Sequence, residues 1–265
     1  MGRLALVTGA SAGIGAAFAR LYASAGYDLV LTARREDRLE ALAAEQRAAH
    51  GVRAMTIAAD LSRPGAVDVI LGEIAGAGAT IDVLVNNAGY GLPGTWSSTT
   101  WEAQAAALQL MLTAPLELSH KLLPGMVERR WGRILNIASL AGFAPGGRGH
   151  TTYAAIKSAL IKVSQSLHEE LEGTGVHCTA VCPGLTYSEF HDVNGTRERV
   201  SQAPARFWQT AEEVAEAGYL ASEHNRAVVV TGSTNKLIAG LVKITPDPLA
   251  MEIAKGLQKK YRGEG

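Results

Sequence analysis

The sequence predicts an α/β fold, a doubly wound parallel sheet of about seven strands with helices on both faces, and three observations carry that prediction. Short β-rich runs alternate with helix-length amphipathic stretches from the first residues onward. Strands separated by helical segments form βαβ crossovers, which cover both faces of a parallel sheet. The first β-rich run enters the first helical stretch through a glycine turn, Thr8-Gly-Ala-Ser-Ala-Gly-Ile-Gly15. Finally, 47% apolar and 19% charged residues, with 29 glycines in 265, describe a compact chain rather than a disordered or fibrous one.

Taken in order, Leu4–Thr8 reads as a strand and Gly13–Ala25 as a helix, followed by strand Tyr27–Thr32 and helix Glu36–His50. Arg53–Ala58, Ile81–Asn86, Gly132–Ala138 and Val176–Cys182 are further strands. Helical periodicity runs over Pro64–Gly76, Thr100–Arg129 and Thr152–Leu171. Thr210-Ala-Glu-Glu213 is a capping box that starts a helix running to about Glu223, and Ala227–Val230 is a last strand. From Pro183 to Trp208 no period is clear, and a stretch this long is expected to be a substrate lid, assigned to 185–209. Residues 233–265 are expected to form a C-terminal helical extension interrupted at Pro246 and Pro248. No repeat or linker divides the chain, so one domain is expected over 1–265.

Composition also excludes partners. Lys+Arg and Asp+Glu balance at 25 each, so no net field draws the chain to nucleic acid or to an anionic membrane. No stretch of about 18 apolar residues exists, so no transmembrane segment is expected. The first apolar run stops at Thr8-Gly9 and reads as a strand, not as a signal peptide. Cys178 and Cys182 fall on one strand, about 13 Å apart at the usual rise, too far for a disulfide. No metal-ligand spacing surrounds them, and a reducing cytoplasm is expected. The Asn194-Gly-Thr196 sequon then reads as a polar loop.

The chemistry centres on Tyr153-Ala-Ala-Ile-Lys157. A phenol and an ammonium four residues apart share one helix face, where the Lys⁺ is expected to lower the phenol pKa and suit it to acid–base catalysis. Alone, that pair recurs on ordinary solvated helices. The glycines at 9, 13 and 15 allow a tight turn and a helix N-terminus open to a pyrophosphate. At the end of the second strand, Ala33 stands where NAD sites place an acid, and Arg34 follows it. That favours NADP(H) over NAD(H), because a guanidinium bonds a 2′-phosphate. Asp60 and Asn86-Asn-Ala-Gly89 lie just past the third and fourth strands, at the carboxyl ends where parallel sheets bind ligands.

These residues, with Ser139 and Pro183-Gly184, occur in an order that resembles the short-chain dehydrogenase/reductase family from Leu4 to about Gly232. The resemblance implies a Rossmann-type fold and interconversion of a carbonyl and a secondary alcohol by hydride transfer. Tyr153 would be the general acid or base, Lys157 its partner, and Ser139 the donor to the substrate carbonyl. The cofactor would meet Gly9, Ser11, Gly13, Ile14, Gly15, Arg34, Arg35, Asp60, Leu61, Asn87, Ala88, Gly89, Tyr153, Lys157, Pro183, Gly184 and Thr186. A homodimer or homotetramer is implied as well.

The chain departs from that family at Met111, where an Asn usually supports a proton-relaying water, and a thioether has no such donors. The extra residue between Ser139 and Tyr153 is expected to be absorbed by the Gly-rich stretch 142–149. The substrate wall is expected to include Tyr90, Phe143, Tyr187 and Phe190, which favours an apolar carbonyl compound; His150 and His191 are given no chemistry, while Arg148 is a minor candidate for attracting an acidic substrate. Two rival readings are reduction of a 3-oxoacyl thioester and, from another class, a non-catalytic NADPH-binding sensor or scaffold.

Overall fold

The computed structural model describes residues 2–92, 94–147, 151–189, 203–246 and 248–252. Seven parallel strands form one sheet: β1 (Leu4–Thr8), β2 (Asp28–Ala33), β3 (Ala54–Ala58), β4 (Val83–Asn86), β5 (Gly132–Ile137), β6 (Val176–Cys182) and β9 (Val228–Val230). Their order is β3-β2-β1-β4-β5-β6-β9, and Val7 of β1 faces Leu31 on one side and Val85 on the other. The winding reverses between β1 and β4, which opens a crevice at their carboxyl ends.

Strict alternation decides the faces. Ala5, Val7, Leu29, Leu31, Val83 and Val85 point to the layer of α1 (Gly13–Ser24), α2 (Glu36–His50) and α7 (Ala211–Glu223). Leu6, Val30, Leu84 and Ile134 point to the opposite layer, which holds α3 (Ala66–Gly76), α5 (Ala114–Glu128) and α6 (Thr151–Glu170). The capping box forms as the sequence predicts, with Thr210 Oγ1 accepting from Glu213 N and Glu213 Oε2 accepting from Thr210 N. Strand and helix ends shift from the predicted ones by a residue or two.

Two expectations need correction. The single helix over Thr100–Arg129 is interrupted: α4 (Trp101–Leu108) passes through a π-turn, Gln109–Thr113, into α5. Pro115 supplies the reason, since it has no N–H to return to the Met111 carbonyl and its ring crowds that group. The wider turn takes over, with Ala114 N donating to Gln109 O. The irregular lid stretch also has ordered ends. Leu185–Thr186 (β7) and Trp208–Gln209 (β8) pair as a parallel ribbon, and Tyr187 stacks on Trp208 with ring centroids 4.6 Å apart. The C-terminal extension begins with α8 (Ser233–Ile244), and residues 248–252 are helical too. Phe190, Arg148, His150, His191, the 194–196 sequon and the chain from 253 onward lie outside the described residues. Among the described residues no helix is long and apolar enough to cross a membrane.

Candidate active site

The floor of the crevice is built by β1 and the loop after β4. Thr8 Oγ1 accepts from the N–H groups of Asn87 (2.9 Å) and Ala88 (3.0 Å), and Asn87 Nδ2 donates back to Thr8 O at 2.9 Å and Gly9 O at 3.3 Å. The ribose-side residue expected at 87 is thus also the tie that shapes the glycine turn. The fit is close enough that a Cβ on Gly15 would lie 2.4 Å from Gly9 O and 2.5 Å from Asn87 Nδ2. Gly9 and Gly13 take φ of +66° and +55°, which a side chain resists.

This floor suits an anion. Ala12 precedes α1 without a side-chain cap, and no acidic residue stands in the first turn, so the helix's own residues do not compete for its leading N–H groups and positive end. At the end of β2, Arg35 donates from Nε and Nη2 to Ser11 Oγ at 3.3 and 3.0 Å. Arg34 stands exposed beside it, and Leu61 is buried behind the neighbouring Asp60. Burial alone raises the Asp60 pKa, but hydrogen bonds from the Ser62 hydroxyl and N–H, with the charges of Arg34 and Arg63, bring it below the ordinary value.

The reacting groups gather past β5. Ser139 follows it in extended backbone and caps a short turn, Leu140–Gly142, by accepting from Ala141 N at 3.1 Å. Tyr153 and Lys157 lie one turn apart on α6, and the Ser139 hydroxyl stands near enough to Tyr153 to act on its phenol. Burial pushes the Tyr153 phenol up to about 12, and the neighbouring Ser139 hydroxyl opposes it. The lowering by Lys157 expected from the sequence is not found: the phenol is shifted by burial and by Ser139 alone. Lys157 Nζ instead donates to Ile137 O at 2.7 Å and lies 5.6 Å from the Tyr153 ring centroid. Burial also lowers this ammonium, to about 8.

Sequence reading missed several supports. Gly142, taken only as slack before α6, docks on that helix: a Cβ there would lie 2.8 Å from the Lys157 carbonyl carbon. Met111, 1% exposed, packs with Ala107, Ile156, Tyr90 and Tyr153, and a Cβ on Gly89 would come within 3.2 Å of its Sδ. Where the sequence leads one to expect the nicotinamide, Leu140 N donates to Pro183 O at 2.8 Å, and Thr186 Oγ1 donates to Gly184 O at 3.2 Å. Asn235 of α8 is buried against Gly184, 2.4 Å from where a Cβ would stand, and donates to Thr231 O at 3.0 Å. No sequence signal singles out Asn235, which stands among Ser233, Thr234 and Lys236 before the apolar run begins at Leu237.

The expected substrate wall divides. Tyr90 shares the apolar cluster of Tyr153 and Met111. Phe143 packs with Leu160, Ile161 and Cys182, with Lys243 Nζ 5.3 Å from its ring centroid. Tyr187 borders a cavity of about 480 Å³ whose other walls include Gly13, Arg20 and Thr210. Among the described residues no group of three His, Cys, Asp or Glu is placed to hold a metal.

Comparison with known proteins agrees with this geometry. Residues 3–199 match the short chain dehydrogenase family profile. The chain is 38% identical over 251 residues to nodulation protein G of Rhizobium sp. (strain N33), covering 92% of this chain and 98% of that one. It is 31% identical over 244 residues to the 3-oxoacyl-[acyl-carrier-protein] reductase FabG of Haemophilus influenzae, covering 91% and 98%. A short-chain dehydrogenase from Sphingobium yanoikuyae, solved in complex with NADPH, superposes with a TM-score of 0.80 at 31% identity, covering 92% of this chain and 96% of that one.

Proposed function

The chain belongs to the short-chain dehydrogenase family, and on that premise we propose that it is an NADP(H)-dependent oxidoreductase interconverting a carbonyl and a secondary alcohol. The observation that carries the reading is the placement of Ser139 beside the partly buried Tyr153 at the carboxyl end of the sheet, one helical turn from the buried Lys157. In this reading the α1 N-terminus with Gly9, Ser11, Gly13, Ile14 and Gly15 holds the diphosphate, and Arg34 and Arg35 hold a 2′-phosphate. Asp60 and Leu61 face the adenine, Asn87, Ala88 and Gly89 the adenosine ribose, and Pro183, Gly184 and Thr186 the nicotinamide. When bound, the nicotinamide supplies or takes up a hydride.

The protein's own groups handle the proton. Ser139 donates a hydrogen bond to the carbonyl oxygen of the substrate and steadies the charge that develops there. Tyr153, with its pKa near 12, keeps its proton at neutral pH and is ready to hand it to that oxygen; in oxidation it takes the proton back. Lys157, charged below about pH 8, stabilises the resulting phenolate. Tyr90 and Phe143 line the substrate side together with Tyr187. A single domain, a cytoplasmic location and a homodimer or homotetramer belong to the same proposal.

Two alternatives have specific support. Likeness to a 3-oxoacyl-[acyl-carrier-protein] reductase over nine-tenths of the chain favours a 3-oxoacyl thioester as the carbonyl compound. Met111, offering no donor beside Tyr153, favours a non-catalytic NADPH-binding sensor. The test is NADPH consumption against aldehydes, ketones and 3-oxoacyl thioesters, repeated with NADH. Tyr153→Phe should lower turnover by about 10²- to 10⁴-fold, and Arg34→Ala should erode the preference for NADPH by roughly tenfold. Tight NADPH binding without turnover of any carbonyl would leave the sensor as the surviving reading.

A further inference from the structure

The segment that leaves β7 crosses the cofactor floor and is fastened on its far side. Ser188 sits directly over the start of α1: a Cβ on Gly13 would lie 2.9 Å from Ser188 Cβ. One residue on, Glu189 reaches the first turn of α2. Its Oε2 accepts from Arg35 Nη1 at 2.8 Å, and its Oε1 accepts from Arg38 Nη1. The two guanidiniums, Arg38 before Arg35, hold the Glu189 carboxyl below its ordinary range, and the positive end of α2 favours it further. Arg35 is gripped from both edges, since its Nε and Nη2 face Ser11 Oγ in the glycine turn. These contacts join positions 151 and 154 residues apart, so the chain closes a ring around the diphosphate end of the crevice.

Nothing in the reaction requires an acid here. A carboxylate beside a phosphate site weakens the field that attracts the anion, which makes its placement uneconomical unless it holds the wall shut. The ion pairs lie at the surface, with the three side chains 41–44% exposed, so they form and break readily. The cavity bordering Tyr187, Ser188 and Glu189 leaves room beside the segment when it lifts.

Resting on the dinucleotide reading above, we propose that Glu189 is a positioning residue, a latch that ties the Tyr187–Glu189 segment to α2 and retains the cofactor by its diphosphate end. Because the diphosphate is common to both dinucleotides, and Arg38 keeps hold of Glu189 when Arg35 turns to a 2′-phosphate, the latch slows release of NADPH and NADH alike. A rival role, in which Glu189 competes with the 2′-phosphate for Arg35, predicts the opposite sign and acts on NADPH alone.

The test is stopped-flow release of NADPH and of NADH from the wild type and Glu189→Gln, at low and high salt, followed by nucleotide fluorescence. Loss of the paired charge should speed release of both by about threefold to tenfold and flatten its salt dependence. Unchanged release, or slower release of NADPH with NADH unaffected, would overturn the latch. Failure of the wild type to bind either nucleotide would instead sink the dinucleotide reading. The latch is then judged in the ligand-free chain by amide exchange over residues 186–189, which Glu189→Gln must accelerate; unaltered exchange overturns it there.

Discussion

The floor of the crevice and its far wall are built by different means. The floor, Thr8–Gly15 with Asn87 and Ala88, is held by backbone-directed bonds between strands distant in sequence, and a single added methyl has nowhere to go. The described parts of the wall, residues 185–189 and 203–209, are tied by two-residue strands, an aromatic stack and exposed ion pairs, and Tyr187 is 52% exposed. A fixed cofactor needs a fixed backbone, whereas substrate choice is changed through side chains on a loop. Rigidity and specificity are therefore assigned to opposite sides of one crevice.

The comparison breaks most sharply at Gly15. Gly15→Ala forces a methyl against Gly9 O and Asn87 Nδ2, both fixed. Overpacking of this kind costs about 1–3 kcal/mol, and a melting temperature lower by roughly 3–10 °C is expected with loss of nucleotide binding. Gly72→Ala is the control: no atom lies within 4 Å of its Cβ, and the residue is inside α3. There the helix should gain about 0.5–1 kcal/mol. Calorimetry on both variants, with nucleotide titration of the first, decides it. A Gly15→Ala protein that binds nucleotide normally would show the floor to be as pliable as the wall.

What the sequence made legible follows the same division. Helix Glu36–His50, strand Val176–Cys182 and the Thr210 capping box rest on local periodicity and short-range bonds, and they stand where predicted. Tyr153 and Lys157 were found by spacing and Ser139 through the family resemblance, and the fold brings them together. The π-turn escaped because one wide turn leaves helical periodicity almost intact and Pro115 reads as an ordinary early-helix proline. Asn87 on Gly9, Gly142 on Lys157, Asn235 on Gly184 and Glu189 on Arg35 escaped for another reason. Each is one side of a contact whose partner is set by topology, not by neighbours in the chain.

A smaller effect tests the burial of Lys157, whose Nζ donates to Ile137 O. Its pKa falls from 10.5 in the unfolded chain to about 8 in the folded one. Between those values the unfolded chain binds the extra proton, so stability attributable to this residue rises with pH across that window and is level below it. Urea unfolding at pH 7.5 and 9.5 should show the wild type gaining, relative to Lys157→Met, on the order of 1 kcal/mol. A constant difference between the two proteins would mean that the ammonium is solvated in the folded state.

The smallest effects belong to the wall, and there two tyrosines separate its roles. Tyr90 packs with Tyr153 and Met111, so Tyr90→Ala should change kcat/KM for an apolar carbonyl compound by about fivefold to tenfold through lost apolar contact. Tyr187 stacks on Trp208 beside the cavity that reaches Gly13, away from that cluster. Because it is half exposed, Tyr187→Ala should shift stability by only about 0.5 kcal/mol. Its effect on kcat/KM should stay within about twofold for small carbonyls and grow with substrate bulk. Measuring both variants against a series of ketones of increasing size would sharpen the division. Equal losses at every size would mean that Tyr187 contacts substrate as closely as Tyr90 does, and that the wall is as much a part of the reaction centre as the floor.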